Sequence, residues 1–481
     1  MLSGFAYGLL AFTSTGSGTS LDPSTLTGGV TLFTALMAVA VIVGVGTKIM
    51  KLPYTVALVL AGLFIAILQR APVGAELHPN LVFYIILPPV LFRAGLLIDV
   101  KSLGRHWIPV FLMTFAGTIL TTVIVGFAIH WALSPDLISP GTAWVAALMI
   151  GAMVSPTDPV SVMPIIRSIR LPKSIRTTIE GESLFNDGIA VVLFFILYGA
   201  IFMPISEVVG GDGPNQSQPV ITAATAAHEQ PIVGTDVSLV HSPKSDSAVD
   251  IWAGIMLFLG NTGIGLCVGG VLGLGAVYLM RWADDPVLEN TITVVLAYGA
   301  FIIASNWSAS GVAAVIVAGI LVGVLRCSKD KALESERTIV TFWESIDYIM
   351  NSLIFLIVGF ELQFIGVGTL LEEKVVLAVL AVFGAMLLAR ALVVFPCGHF
   401  SKAWNARGGT IVFWAGLRGC VTLALVLVLP DNVEGRPDAL KEFLLPLVFG
   451  VVLLTLILQA TTMRPLFKLL RIEEQGDSAD A

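Results

Sequence analysis

Long apolar stretches, separated by short polar or Pro- and Gly-containing segments, dominate the pattern of this chain. Each stretch is close to or above the roughly 20 residues that a transmembrane helix needs. Short alternating segments, which are typical of an outer-membrane barrel, do not describe the pattern. It predicts an all-α membrane protein with about 13 transmembrane helices, at 30–47, 53–69, 80–98, 107–133, 141–166, 177–203, 251–280, 288–306, 308–325, 342–366, 375–396, 408–430 and 442–463.

Composition supports the same class. Of 481 residues, 56% are hydrophobic and 12% are charged, whereas a soluble domain carries about 25% charged residues. A water-soluble globule is therefore excluded, and we expect membrane lipid as a partner and no nucleic acid. The four cysteines show no CxxC or Cys–His spacing that suggests a metal site, and we predict no cofactor.

The basic residues predict the topology, because Lys and Arg are retained on the cytoplasmic side. Loops after odd-numbered spans, together with the C-terminal tail, hold 18 of the 26 Lys and Arg residues, and loops after even-numbered spans hold five. We therefore expect a multi-pass protein of the plasma or inner membrane with its N-terminus outside and its C-terminus inside. The transmembrane domain (30–463) contains an external loop (204–250). An external N-terminal segment (1–29) precedes it and a short cytoplasmic tail (464–481) follows it.

Span five carries polar residues at membrane depth, where an ionisable group suggests a function. Its sequence Ser155-Pro156-Thr157-Asp158-Pro159 places two prolines around a Thr-Asp pair. Each proline removes a backbone donor, so the helix should be interrupted here and should expose backbone oxygens.

Span six begins with a second set of polar residues. At 100° per residue one helical face collects Glu180, Ser183, Asn186 and Asp187, with Glu182 beside them. At 1.5 Å per residue, Asp187 and Asp158 lie roughly 13 to 16 Å from the basic residues at the span ends, in a layer about 30 Å thick. We therefore expect the two carboxylates to meet near the midplane.

Span twelve contains Gly416-Leu417-Arg418-Gly419, which predicts a second weak or broken helix with an arginine near the midplane. We expect Arg418 to act as a structural counter-ion for Asp158, Glu182 or Asp187. Spans five and twelve run in opposite directions, so inverted repeats would make the two interrupted helices cross at the midplane, as in secondary transporters.

The chemistry of this cluster suits a small monovalent cation. Asp187, Asp158 and the hydroxyls of Thr157 and Ser183 offer oxygen ligands. A carboxylate in such a site can hold either a proton or a cation, and this competition is sufficient for exchange. Because Asn186 is neutral, the sequence predicts an electroneutral 1:1 cycle in which one carboxylate trades one proton for one cation.

These residues also resemble the signature motifs of the monovalent cation:proton antiporter-1 family, in particular its NhaP-type sodium/proton antiporters. The strongest resemblance lies in Thr157-Asp158-Pro159, Glu182-Ser183-Leu184-Phe185-Asn186-Asp187 and Gly416-Leu417-Arg418-Gly419. Further similar stretches are Leu87–Phe92 in span three and Phe342–Glu344 and Phe355–Leu362 in span ten. The resemblance covers residues 30 to 463.

The resemblance implies that Asp187 carries Na⁺ (or Li⁺) and H⁺ in turn and that Asn186 is its neutral partner. Thr157, Asp158 and Ser183 would be further ligands or supports. Glu182 would form a structural ion pair with Arg418. No enzymatic activity is implied.

It also implies a homodimer with an elevator motion. A core of helices at 107–203 and 375–463 would slide against dimerisation helices at 30–98 and 251–366.

Arg93 departs from the family pattern, since many NhaP-type relatives carry an acid after the span-three motif. Three interpretations stay open. Arg93 reaches the cytoplasmic interface along its flexible stem, pairs with an acid such as Glu361, or places positive charge near the ion path.

Other functions also remain open. A K⁺/H⁺ antiporter on the same scaffold is the nearest alternative, because no sequence feature fixes the size of the cavity. A channel is more remote, and so is an intramembrane aspartyl protease, because neither aspartate lies in a Gly-x-Gly-Asp motif.

Overall fold

The structure is a computed structural model. It describes residues 26–50, 53–68, 81–132, 143–167, 169, 171–202, 251–283, 285–307, 309–325, 332–401, 403–429, 432–433, 436–437 and 439–472. Three predicted segments lie wholly or partly outside the described residues: the external loop 204–250, residues 1–25 of the N-terminal segment and residues 473–481 of the tail.

The first half of the chain is helical throughout its described parts. Its α-helices are α1 (Leu26–Met50), α2 (Tyr54–Ile67), α3 (Leu87–Leu97), α4 (Val100–Arg105), α5 (Trp107–Phe111), α6 (Gly117–Ala132), α7 (Ala143–Met153), α8 (Met163–Arg167) and α9 (Lys173–Phe202). Two π-helical turns (Leu81–Ile86, Leu112–Ala116) and one 3₁₀ turn (Pro159–Ser161) connect them.

The second half adds ten α-helices among its described residues. They are α10 (Ile251–Ala283), α11 (Pro286–Asn306), α12 (Gly311–Leu325), α13 (Ala332–Ile365), α14 (Val367–Leu370), α15 (Glu373–Ser401), α16 (Ala406–Trp414), α17 (Cys420–Leu427), α18 (Ala439–Leu454) and α19 (Thr461–Leu469). A π-helical turn at Thr455–Ala460 joins α18 to α19. The strands β1 (Asn432–Val433) and β2 (Arg436–Pro437) form one antiparallel pair, with Val433 opposite Arg436.

The all-α membrane fold is confirmed, and each of the thirteen predicted spans overlaps a helix among the described residues. Within those residues, eight helices are long and apolar enough to cross a membrane, and four apolar helices are shorter. Span twelve is divided between α16 and α17. The number of actual crossings, thirteen, stays a prediction.

Capping residues begin several helices where the sequence changes from polar to apolar. The Asp285 carboxylate accepts a hydrogen bond from the amide of Val287 at the start of α11 (2.9 Å). Asn405 does the same for Gly408 at the start of α16 (2.9 Å). Such caps satisfy amide groups that have no partner within the helix.

The helices pack into two bundles. In the first, α1, α2 and α3 pack with α10, α11, α12 and α13. In the second, α6, α7 and α9 pack with α15 to α18. Glycines allow close approach within the first bundle, since a Cβ on Gly62 of α2 would overlap the backbone of α13 at Leu356. Small residues at helix interfaces are typical of packing in membranes.

Candidate functional site

Two helices are interrupted where the sequence predicted it. The segment from Val154 to Asp158 separates α7 from the 3₁₀ turn, and the segment from Ala415 to Gly419 separates α16 from α17. The two interruptions meet, because the amide of Asp158 donates a hydrogen bond to the carbonyl of Leu417 (2.9 Å). The two broken helices therefore meet at their interruptions, while the inverted repeats and the crossing at the membrane midplane stay predictions.

The glycines on either side of Arg418 are required by close contacts. A Cβ on Gly419 would overlap the carboxylate of Asp158, and a Cβ on Gly416 would overlap the guanidinium of Arg390. Each glycine thus allows a charged side chain to pack directly against the unwound backbone. The Gly-Leu-Arg-Gly motif is explained by this packing as well as by the break in the helix.

Arg418 is buried and binds backbone oxygens of the opposite interruption. Its Nη1 donates to the carbonyl oxygens of Ser155 (3.0 Å) and Pro156 (3.1 Å). These carbonyls lie just beyond the end of α7, where backbone oxygens have no helical partner. Arg418 therefore satisfies the end of one broken helix while belonging to the other.

The predicted ion pair between Glu182 and Arg418 is wrong, because Glu182 binds Arg390 of α15. Nη1 and Nη2 of Arg390 lie 2.6 and 3.1 Å from the two carboxylate oxygens of Glu182. Both side chains are buried. The resemblance implied the pair with Arg418, and equal depth in the membrane left Asp158, Glu182 and Asp187 all possible as its partner, because depth does not determine which neighbouring helix a side chain faces.

Arg390 also binds the end of α16. Its Nε donates to the carbonyls of Val412 (3.1 Å) and Phe413 (3.0 Å), and its Nη2 donates to Val412 (2.8 Å). The ends of both broken helices, α7 and α16, are thus each bound by an arginine. A cation at a helix C-terminus also interacts favourably with the helix dipole.

Asn186 connects α9 to α6 and to the first interruption. Its Nδ2 donates to the carbonyl of Ser155 (3.2 Å) and to Oγ1 of Thr157 (3.1 Å), while its Oδ1 accepts from Thr118 (2.7 Å). Thr157 in turn donates to Oε1 of Glu182 (3.2 Å). The side chains of Asn186 and Thr157 are therefore engaged in holding the broken segment.

Asp187, Asp158 and Ser183 line one cavity of about 600 Å³. Oδ1 of Asp158 accepts from the amide of Val160 (3.0 Å). Oδ1 of Asp187 is buried, and no described residue forms a hydrogen bond with it. The predicted site residues thus divide into three that line the cavity and two, Asn186 and Thr157, that lie behind it.

Arg93 lines the same cavity and pairs with Asp347 of α13. Its Nη1 lies 3.3 Å from Oδ2 of Asp347. Of the three open interpretations, the structure favours pairing combined with a position beside the candidate ion site, although the partner is Asp347 and not Glu361.

Three side chains that contact the site residues or line the cavity were not predicted from the sequence: Thr118, Arg390 and Asp347. Arg390 carried a usable signal, since an arginine within an apolar span requires an acidic partner. Thr118 belongs to a group of threonines in α6 with no charge beside it. Nothing in its pattern distinguishes it from a threonine that bonds to its own helix.

Comparison with known proteins adds independent information. The family model described as "Sodium/hydrogen exchanger, transmembrane" matches residues 32–469. The Na(+)/H(+) antiporter ApNhaP of Aphanothece halophytica is 29% identical over 89% of this chain and 71% of that protein. The Na(+)/H(+) antiporter NhaP of Pseudomonas aeruginosa is 31% identical over 79% of each chain.

One solved structure resembles the fold over nearly its whole length. It is the sodium proton antiporter MjNhaP1 from Methanocaldococcus jannaschii at pH 8, with a TM-score of 0.64 and 20% sequence identity. The match covers 92% of this chain and 99% of that chain. At this identity the likeness supports the fold and not the roles of individual residues.

Proposed function

The chain belongs to the sodium/hydrogen exchanger family, and we propose that it exchanges Na⁺ or Li⁺ for H⁺ across a membrane. The observation that carries the proposal is the buried Oδ1 of Asp187, which has no hydrogen-bond partner among the described residues and belongs to a side chain lining a cavity. An ionised carboxylate with an unpaired buried oxygen is costly in such a place. A proton or a cation on Asp187 removes that cost.

The exchange follows from competition for one carboxylate. A cation arriving through the cavity displaces the proton of Asp187, and a proton displaces the cation on the other side of the membrane. Asp158 and Ser183 line the same cavity and supply further oxygens. Among the described residues, no three His, Cys, Asp or Glu side chains form a metal cluster, so the remaining ligands are hydroxyl, backbone or water oxygens.

The neighbouring charges support an electroneutral cycle. Glu182 is held by Arg390, and Arg418 is held by two backbone carbonyls. Each of these three groups is thus engaged within the protein, which leaves the exchange to the aspartates of the cavity. If Asp158 keeps its charge as well, Asp187 exchanges one proton for one cation and no net charge moves.

The two bundles support an elevator motion. The bundle with α6, α7, α9 and α15 to α18 contains both interruptions and Asp187, and it corresponds to the core at 107–203 and 375–463. The bundle with α1 to α3 and α10 to α13 corresponds to the dimerisation helices at 30–98 and 251–366. Sliding of one bundle along the other would move Asp187 from one side of the membrane to the other.

The setting of this activity is the cell membrane. We propose a homodimer in the plasma or inner membrane, with the N-terminus outside and the C-terminus inside. The distribution of basic residues supports this orientation. Exchange there would serve sodium and pH homeostasis.

Proteoliposomes test the proposal directly. With a pH-sensitive dye inside and a preset pH gradient, we expect Na⁺ and Li⁺ to release protons and K⁺ to have a much smaller effect. A response to K⁺ equal to that to Na⁺ would favour the K⁺/H⁺ alternative. No response to any of the three would contradict the proposed function.

The same vesicles test the stoichiometry when the membrane potential is clamped with valinomycin and K⁺. An electroneutral cycle predicts the same initial rate at zero and at inside-negative potential. A rate that follows the potential would mean that a second acid, for which Asp158 is the first candidate, also exchanges its proton.

A further inference from the structure

The cavity that holds the proposed ion site also holds an ion pair with no assigned role. Nη1 of Arg93 on α3 lies 3.3 Å from Oδ2 of Asp347 on α13, and the side chains are 19% and 13% exposed. Both residues line the cavity together with Asp158 and Asp187. A positive charge and a negative charge are therefore fixed beside the space that a cation would enter.

The half-buried Arg93 forms fewer hydrogen bonds than the buried Arg390. Arg390 uses Nε, Nη1 and Nη2 in hydrogen bonds, whereas the Nε of Arg93 is buried and finds no hydrogen-bond partner among the described residues. In the pair with Asp347, Nη1 of Arg93 lies 3.3 Å from Oδ2. Such a geometry allows the guanidinium to turn toward another carboxylate if Asp347 is removed.

Arg93 shares the cavity with the carboxylates of the ion site, and with Glu180 and Glu344. Asp347 and Asp158 are close enough to interact electrostatically, and Asp158 and Asp187 interact in the same way. A guanidinium close to these aspartates would neutralise part of their negative charge and would compete with the transported cation. Asp347 prevents this by holding Arg93 at the wall of the cavity.

We propose that the Arg93–Asp347 pair sets the apparent affinity of the site for its cation. Asp347 acts as a positioning residue that keeps the guanidinium away from Asp158 and Asp187, and Arg93 cancels the negative charge that Asp347 would otherwise add to the cavity. The proposal rests on the proposed function, since it concerns the cation that binds at Asp187.

The test measures the half-saturating Na⁺ concentration in proteoliposomes for the parent, Arg93→Gln, Asp347→Asn and the double variant. Arg93→Gln removes a positive charge from the cavity and should lower this concentration on the order of fivefold. Asp347→Asn removes a negative charge and releases Arg93, and should raise this concentration on the order of tenfold. The double variant restores neutrality and should return close to the parent value. Arg93→Lys keeps the charge and should also stay close to the parent.

Arg105→Gln is the matched control, because Arg105 is exposed at the end of α4 and does not line the cavity. It removes the same charge and should leave the half-saturating concentration unchanged. Maximal rates are compared separately, because a pair that only stabilises the fold would lower the amount of active protein without moving the half-saturating concentration.

The outcomes separate this inference from the proposed function. A parent protein without cation-driven proton movement would contradict the function and the inference together. A parent that exchanges, with the same half-saturating concentration in Arg93→Gln, would contradict the inference alone. If Asp347→Asn does not fold, Arg93→Gln decides the question by itself.

Discussion

Asp187→Asn is expected to abolish cation-driven proton movement while the protein remains folded. The amide has nearly the shape of the carboxylate, but it carries no charge for a cation and no exchangeable proton near neutral pH. Losing about 3 kcal/mol of attraction between carboxylate and cation lowers affinity by more than about a hundredfold. The rate at sub-saturating Na⁺ should fall at least as much, measured by dye response in proteoliposomes.

Asp285→Asn provides the matched control. Asp285 is exposed outside the cavity and caps α11 through the amide of Val287 (2.9 Å), and asparagine caps a helix about as well as aspartate. This variant should exchange at the parent rate. Robust Na⁺/H⁺ exchange by folded Asp187→Asn would remove Asp187 from the mechanism.

Breaking the Glu182–Arg390 pair should destabilise the protein more than any other single substitution of a charged residue discussed above. Both side chains are buried and joined by two hydrogen bonds. Removing one partner strands a buried charge, which costs about 3–5 kcal/mol. We expect Glu182→Gln and Arg390→Gln each to lower the yield of monodisperse protein and its unfolding temperature in detergent.

A double-mutant cycle distinguishes the Glu182–Arg390 pair from the Glu182–Arg418 pair. Glu182→Gln with Arg390→Gln should be more stable than the two single effects predict, with a coupling of up to about 3 kcal/mol. The combination of Glu182→Gln with Arg418→Gln should show a much smaller coupling, since Arg418 binds Ser155 and Pro156 carbonyls. The reverse ranking would restore the Glu182–Arg418 pairing that the resemblance implied.

The sequence contained enough information for the fold class and for both helix interruptions. Apolar runs locate helices because a bilayer core demands apolar side chains over a fixed length. The prolines at 156 and 159 and the glycines at 416 and 419 are local signals that act within their own segments. Such signals need no knowledge of the tertiary fold, and the structure has a break at each place.

The partners of the charged residues could not be predicted in the same way. Distance along a helix gives the depth of a side chain, but the rotation and neighbours of each helix depend on packing across the whole bundle. Glu182 therefore had two buried arginines at comparable depth, Arg390 and Arg418, and the prediction chose the one in a recognisable motif. Arg93 and Asp347 were likewise brought together by the packing of α3 with α13.

The site residues show the same division between local and long-range information. Asp158, Ser183 and Asp187 were predicted from spacing and resemblance, and they line one cavity. The role of Asn186 as the link from α9 to Thr118 and Ser155 required the packed structure. The sequence alone shows only that Asn186 is a neutral residue beside Asp187.

Proton release on cation binding tests the central claim most directly. Purified protein in weakly buffered detergent solution with a pH dye is titrated with NaCl, and choline chloride serves as the control for ionic strength. Competition at Asp187 predicts acidification on addition of Na⁺ to the parent and none with choline or with Asp187→Asn. Equal acidification in Asp187→Asn, or Na⁺ binding to the parent without proton release at any pH where it is stable, would contradict the account.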